Sequence, residues 1–177
     1  MLRRMLRPAI AALFVAAFAA TAALAQTTTL VPELANAVFL LGKWKGNGWI
    51  EFQGRRAEFD QFETISVRLG GSGILMEGLG KRKGTDIVTH EAIGVLTFDP
   101  VQKKPLMRAY RSGGQYTDAN VTLEPKKLVW KFTIPQFGET RYTITLDDKG
   151  RWFEVGESSK DGTQWNRFFE TTLEKQP

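Results

Sequence analysis

Chemistry in this chain would have to come from ionisable residues that share a strand face with apolar ones. Successive side chains of a strand point to opposite faces, so residues i and i+2 are neighbours. On that parity Glu63 lies with Phe59, Ile65 and Val67, Glu77 lies between Leu75 and Leu79, and His90 lies with Val88, Ala92 and Leu96. Arg108 sits with Leu106 and Tyr110, Glu154 beside Trp152, and Arg167 between Trp165 and Phe169. Trp130 and Phe132 extend an apolar face from Leu128, and Tyr142 begins another with Ile144 and Leu146. Arg141 shares its face with Thr143 and Thr145.

An unpaired charge in an apolar interior costs several kcal/mol, so such groups must pair or meet a ligand. Two outcomes follow. One is an internal Glu–Arg network that fixes register. The other is a polar head-group site within an apolar pocket, lined by Trp130, Phe132, Tyr142 and Tyr110 and anchored by Glu63, Glu77, His90, Arg108, Arg141 and Glu154. His90 with Glu77 is also the one pair suited to acid–base work, since Glu91 lies on the opposite face of its strand. No nucleophile elbow or phosphate loop is present, and no residue is assigned as catalytic. Zinc needs three or four ligands. One His and no Cys supply no metal site. Gly70-Gly71-Ser72-Gly73 falls between two strand-like segments and reads as a turn, because a phosphate cradle opens a helix. Lys81-Arg82-Lys83 reads as a solvated turn.

The elements that position these residues are strands. Beyond Gly42 the pattern has period two and is broken by turn chemistry such as Gln53-Gly54, Asp99-Pro100, Glu124-Pro125 and Lys160-Asp161-Gly162. About ten strands result: 43–52, 57–69, 73–80, 87–98, 104–111, 115–123, 128–134, 140–146, 152–157 and 164–173. The links are too short for parallel crossovers, so neighbours are antiparallel, and closure removes the edges of such a meander. The fold class is therefore all-β: an up-and-down antiparallel barrel of about ten strands. Ahead of it, Val31 to Leu41 reads as a short helix, with Pro32 early, Gly42 as its stop, and Leu34, Val38 and Leu41 at helical spacing. A barrel of this size leaves an interior that either holds a small ligand or is filled by side chains. With 5 Trp and 12 Phe in the chain, both remain open.

The first 25 residues read as a secretory signal peptide: Arg3, Arg4 and Arg7, then an alanine-rich apolar run, then Ala23-Leu24-Ala25. Residues 26–177 form one domain, with no membrane anchor once the leader is removed. The net charge of +5 includes those three arginines. Without them the chain is nearly balanced, which gives no reason to expect nucleic acid as a partner. An exported chain without cysteine suggests a bacterial periplasmic or secreted protein.

Gly42-Lys43-Trp44, entering a first strand after a short helix, resembles the Gly-x-Trp signature of the lipocalins and the wider calycin group. The longer run Gly42-x-Trp44-x-Gly46-x-Gly48 is similar to nitrobindin-like and other bacterial exported barrels, as is the ending Trp165-Asn166-Arg167-Phe168-Phe169-Glu170. The resemblance implies a calycin-like barrel with structural roles for Trp44 and Arg167, the arginine stacking on the indole to close the barrel base. Nitrobindin-like proteins bind haem through a late histidine. The only histidine here is His90, so haem would need His90, Tyr116 or Tyr142 as a substitute, and no cofactor is expected. The function expected is binding of a small apolar or amphipathic ligand inside the barrel. The alternatives are an enzyme using His90 and Glu77, or a filled barrel that acts through its surface.

Overall fold

The computed structural model describes residues 29–135 and 138–177. The expected signal peptide lies outside the described residues. Ten strands follow a short helix: β1 (Gly42–Phe52), β2 (Arg55–Arg68), β3 (Gly73–Arg82), β4 (Val88–Asp99), β5 (Lys104–Arg111), β6 (Tyr116–Glu124), β7 (Lys127–Ile134), β8 (Gly138–Leu146), β9 (Trp152–Ser159) and β10 (Asn166–Gln176). Each pairs antiparallel with its neighbours in sequence, and β1 pairs with β10 to close the barrel. The expected architecture is thus the observed one, with strand ends displaced by at most three residues.

The helix is a 3-10 helix over Pro32–Leu40. That changes its buried stripe. Three residues per turn bring i and i+3 into line, so Leu34, Ala37 and Leu40 are fully buried while Val38 is 60% exposed. The α-helical spacing that paired Leu34 with Val38 is corrected accordingly.

The helix closes one end of the barrel. Its three buried residues join Trp44, Ile65, Ile74, Leu96, Met107, Ala119, Leu128, Ile144, Trp152 and Leu173 in one apolar cluster. Two bonds secure it. Trp44 Nε1 donates to the Leu40 carbonyl at 2.8 Å, and the Val31 amide donates to the Gly71 carbonyl in the β2–β3 turn at 3.1 Å. The edge of Trp152 meets Trp44, with centroids 5.7 Å apart. Burial of this many large side chains, at roughly 1.5–3 kcal/mol each, makes the base the main source of stability.

Glycines let the wall coil tightly beside this core. A Cβ at Gly46 would run into the Thr172 carbonyl and lie 2.8 Å from the Leu173 Cα. Outward positions carry Lys43, Lys45, Glu58, Asp60, Lys81, Arg108 and Lys131. Charge outside and apolar residues inside invert the pattern of barrels that span lipid. No helix among the described residues is long and apolar enough to cross a membrane.

Candidate functional site

The half of the barrel away from the helix is built differently from the base. Its inward positions on β7 and β8 hold Trp130, Phe132 and Tyr142. Trp130 and Tyr142 stack with centroids 4.3 Å apart and planes 8° from parallel, and Phe132 lies 5.3 Å from Trp130. Phe168 and Phe169 meet Tyr142 edge-on at 5.7 and 5.5 Å, and Phe169 stacks on Phe59 at 5.6 Å. Two consecutive phenylalanines reach one ring because β10 is bulged between Arg167 and Phe169. A bulge adds one residue and breaks the alternation. The facing wall is small: Gly78 on β3, Ala92 and Gly94 on β4, and Ala109 on β5. Trp130, Phe132, Tyr142 and Glu63 face inward yet keep water-accessible surface, unlike the sealed residues of the base. This half is thus less tightly sealed than the base, and at its rim His90 and Arg111 are exposed.

Two carboxyl groups sit in this interior. Glu63 on β2 accepts from Gln61 Nε2 at 2.6 Å, and its oxygens occupy the space left by Gly78, where a Cβ would lie 2.8 Å from Oε1. Glu154 on β9 accepts from Trp152 Nε1 at 3.2 Å. Between β2 and β9 stand β1 and β10; β1 places Trp44 opposite Glu63 and then Gly46 and Gly48 on the same face, and β10 places Thr171 opposite Glu154. Burial pushes Glu63 up to about 8, with the charge of Glu154 adding to the shift and the Gln61 bond opposing it. Burial also pushes Glu154 up to about 7, against the indole bonds from Trp152 and Trp130. Desolvation is the first cause for both, and it disfavours the charged form. The Tyr142 phenol is raised as well, by burial and then by Glu154.

The structure brings together Glu63, Glu154, Trp130, Phe132 and Tyr142, and it corrects four other positions. Glu77 is exposed on the outer face of β3, because Ile74 and Met76 point inward. Arg108 and Tyr110 are on the outer face of β5. Arg108 forks to Asp118 at 2.6 and 2.7 Å and lies 4.6 Å from the Tyr116 ring, while Tyr110 packs on Tyr116 at 6.0 Å. The inward residue there is Met107. Arg141 is also outside, bonded to Glu157 at 2.9 Å and 3.8 Å from the Trp165 ring. His90 keeps its inward parity but sits at the rim, opposite Gly80. Its imidazole is held below its ordinary pKa by burial and then by Arg111. His90 and Glu77 thus face opposite sides of the wall and form no acid–base pair.

The closing stack at the base is corrected too. Arg167 is at the far end of β10, on the outside, paired with Glu170 at 2.6 Å. The cation over Trp44 is Lys175, at 5.3 Å. The register accounts for the miss: Trp44 pairs with Lys175, eight residues beyond Arg167, and the bulge at Phe168 in addition turns Arg167 outward. Gln61, Phe59, Phe168 and Phe169 were not among the expected site residues. Gln61 and Phe59 share the parity of Glu63 and were legible on that ground. Among the described residues no His, Cys, Asp and Glu cluster could hold a metal ion.

No protein-family model matches this chain, and neither does any curated protein. Solved structures do. The crystal structure of Rv2717c from M. tuberculosis is similar with a TM-score of 0.62 and 12% identity, covering 84% of this chain and 99% of that one. At that identity the likeness is one of fold alone.

Proposed function

We propose that this protein binds a small, largely apolar ligand in the open half of its barrel, in the manner of lipocalin-like and nitrobindin-like barrels. The observation that carries this reading is the aromatic wall of Trp130, Phe132 and Tyr142. It faces inward, keeps accessible surface and stands above a base that is already full. Ligand pockets are characteristically apolar and aromatic with a few convergent polar groups, and Glu63 and Glu154 supply those groups. The leader-like character of the first 25 residues supports a periplasmic or secreted location.

The test is titration with an apolar dye whose emission rises on leaving water, followed together with quenching of tryptophan fluorescence. Saturable binding at one site, lost in Phe132→Arg while the melting transition remains cooperative, is the expected result. Binding that survives Phe132→Arg, or never saturates, would place the dye elsewhere and reject the reading.

A further inference from the structure

Exposed apolar side chains on a soluble surface are normally scattered singly. Two neighbouring hairpins at the rim away from the helix depart from that. The β1–β2 hairpin leaves Phe52 64% and Ile50 39% exposed, and the β3–β4 hairpin leaves Ile87 52% and Val88 50% exposed. The hairpins are side by side because β2 pairs with β3, with Phe59 opposite Arg82. The second is also tied down on β2. The Lys83 ammonium and the Gly84 amide each donate to Asp60 at 2.8 Å, and the Lys83 amide donates to the Glu58 carbonyl at 3.4 Å. The four side chains therefore stand on a braced lip. Ile50 and Phe52 continue the strand face that Gly46 and Gly48 turn inward, so the lip is continuous with the lining of the barrel.

The same lip is basic. Residues 51–56 and 81–88 hold five Lys and Arg against two acids, Glu51 and Asp86. Asp86 is taken up by Lys81 at 2.9 Å, and Asp60 by Lys83. Arg56 lies 3.6 Å from the centre of the Trp49 ring. Arg55 and Arg82 are exposed and form no ion pair among the described residues. Glu58 and Glu91 stand further down the strands, and Arg111 on the next hairpin adds a cation. The opposite end of the barrel differs. Its exposed apolar residues, Val38, Leu69 and Val101, belong to three separate elements: the helix, the β2–β3 turn and the β4–β5 turn.

We propose that this lip docks on a membrane surface carrying anionic phospholipid. Ile50, Phe52, Ile87 and Val88 enter the headgroup boundary, and Arg55, Arg56 and Arg82 meet lipid phosphates. Interfacial binding grows with buried apolar area and with attraction between basic residues and anionic lipid. The lip supplies both on one edge. The planar guanidinium matches phosphate oxygens better than an ammonium does. A purely polar acidic partner would use the arginines and leave the apolar quartet wet. Docking sets the rim of the barrel against the bilayer, and it stands apart from whatever the interior binds.

The test is co-sedimentation with phosphatidylcholine vesicles made with and without phosphatidylglycerol, at low and high salt. The protein should bind the phosphatidylglycerol vesicles, and salt should weaken binding. Arg55→Glu with Arg82→Glu should weaken it at least about ten-fold. Phe52→Ser with Ile87→Ser should weaken it as well, whereas Leu69→Ser with Val101→Ser at the other end should not. All six positions are exposed, so the fold should survive. A second readout needs none of these variants. The chain has no cysteine, so a polarity-sensitive dye on Gln53→Cys should shift to the blue on vesicle binding, and the same dye on Gln102→Cys should not. No binding to either vesicle, lip variants that bind like the wild type, or a blue shift at position 102 alone overturns the proposal. So does a dimer in solution that Phe52→Ser with Ile87→Ser dissolves, since the lip would then meet a second copy. Saturable dye binding inside the barrel, without vesicle binding, rejects the lip and leaves the binding function standing.

Discussion

Trp44 donates its indole N–H to the carbonyl of Leu40 across 2.8 Å, so the first strand holds the helix that closes its own barrel. Both groups are buried, and the Leu40 carbonyl has no water to turn to if the donor is lost. Trp44→Phe keeps most of the apolar volume and removes the donor. It should cost about 1–3 kcal/mol, the penalty for an orphaned buried acceptor. Trp44→Ala adds a cavity and should cost about 3–5 kcal/mol. Urea unfolding of the two variants checks both figures.

Arg167 and Lys175 part company in the same experiment. Arg167 is in an exposed pair with Glu170, and pairs of that kind contribute about 0–1 kcal/mol. Arg167→Ala should leave unfolding almost unchanged. Lys175→Ala removes the stem and the charge lying over Trp44, and should cost about 0.5–1 kcal/mol, the ordinary scale for an exposed cation on a ring.

Gly46→Ala tests the tight coiling of β1. The new methyl would meet the Thr172 carbonyl and the Leu173 Cα, both backbone-anchored and unable to rotate away. Overpacking of this kind costs about 1–3 kcal/mol. Gly54→Ala is the control. Nothing lies near a Cβ there, but the backbone is left-handed at φ +72°, so any loss reports conformation rather than contact.

The carboxyl pair gives stability a pH dependence with a definite sign. Glu63 titrates at about 8 in the folded chain against 4.5 for the free group, so between these values the native state holds more protons than the unfolded one. Stability from this source is greatest below about pH 4.5 and falls as pH rises through the folded value. His90, shifted downward, works in the opposite direction near its own ordinary pKa, so the informative quantity is the difference between wild-type and Glu63→Gln. The two should melt alike at about pH 5, and the glutamine variant should be the more stable at about pH 8, by on the order of 2–4 kcal/mol. Calorimetric melting at the two pH values measures it.

Much of this architecture was legible in the sequence because most strands advertise a single apolar face. β7 alternates Leu128, Trp130 and Phe132 against Val129, Lys131 and Thr133, and β2 alternates Phe59, Ile65 and Val67 against charged and polar neighbours. Glu63 could be placed inside on that basis. Glu77 could not, because β3 is apolar on both faces. Leu75 and Leu79 advertise an interior, whereas the true interior there is Ile74, Met76 and two glycines, whose lack of a side chain sends no signal. β5 misleads similarly, with Leu106 and Tyr110 outside and Met107 inside. Arg167 was misplaced because the β1–β10 register, which pairs Trp44 with Lys175, leaves no mark in composition, and a bulge then turns it outward. The 3-10 helix escaped because a nine-residue segment fits either period.

The most direct single measurement is native mass spectrometry of the mature protein purified from its own host, compared with the mass of the denatured chain. A non-covalent mass of a few hundred daltons, as expected for a pocket-sized ligand, should be present in the wild-type protein and absent in Phe132→Arg. A native mass equal to the bare chain, with no saturable binding of an apolar dye, would contradict a ligand inside the barrel.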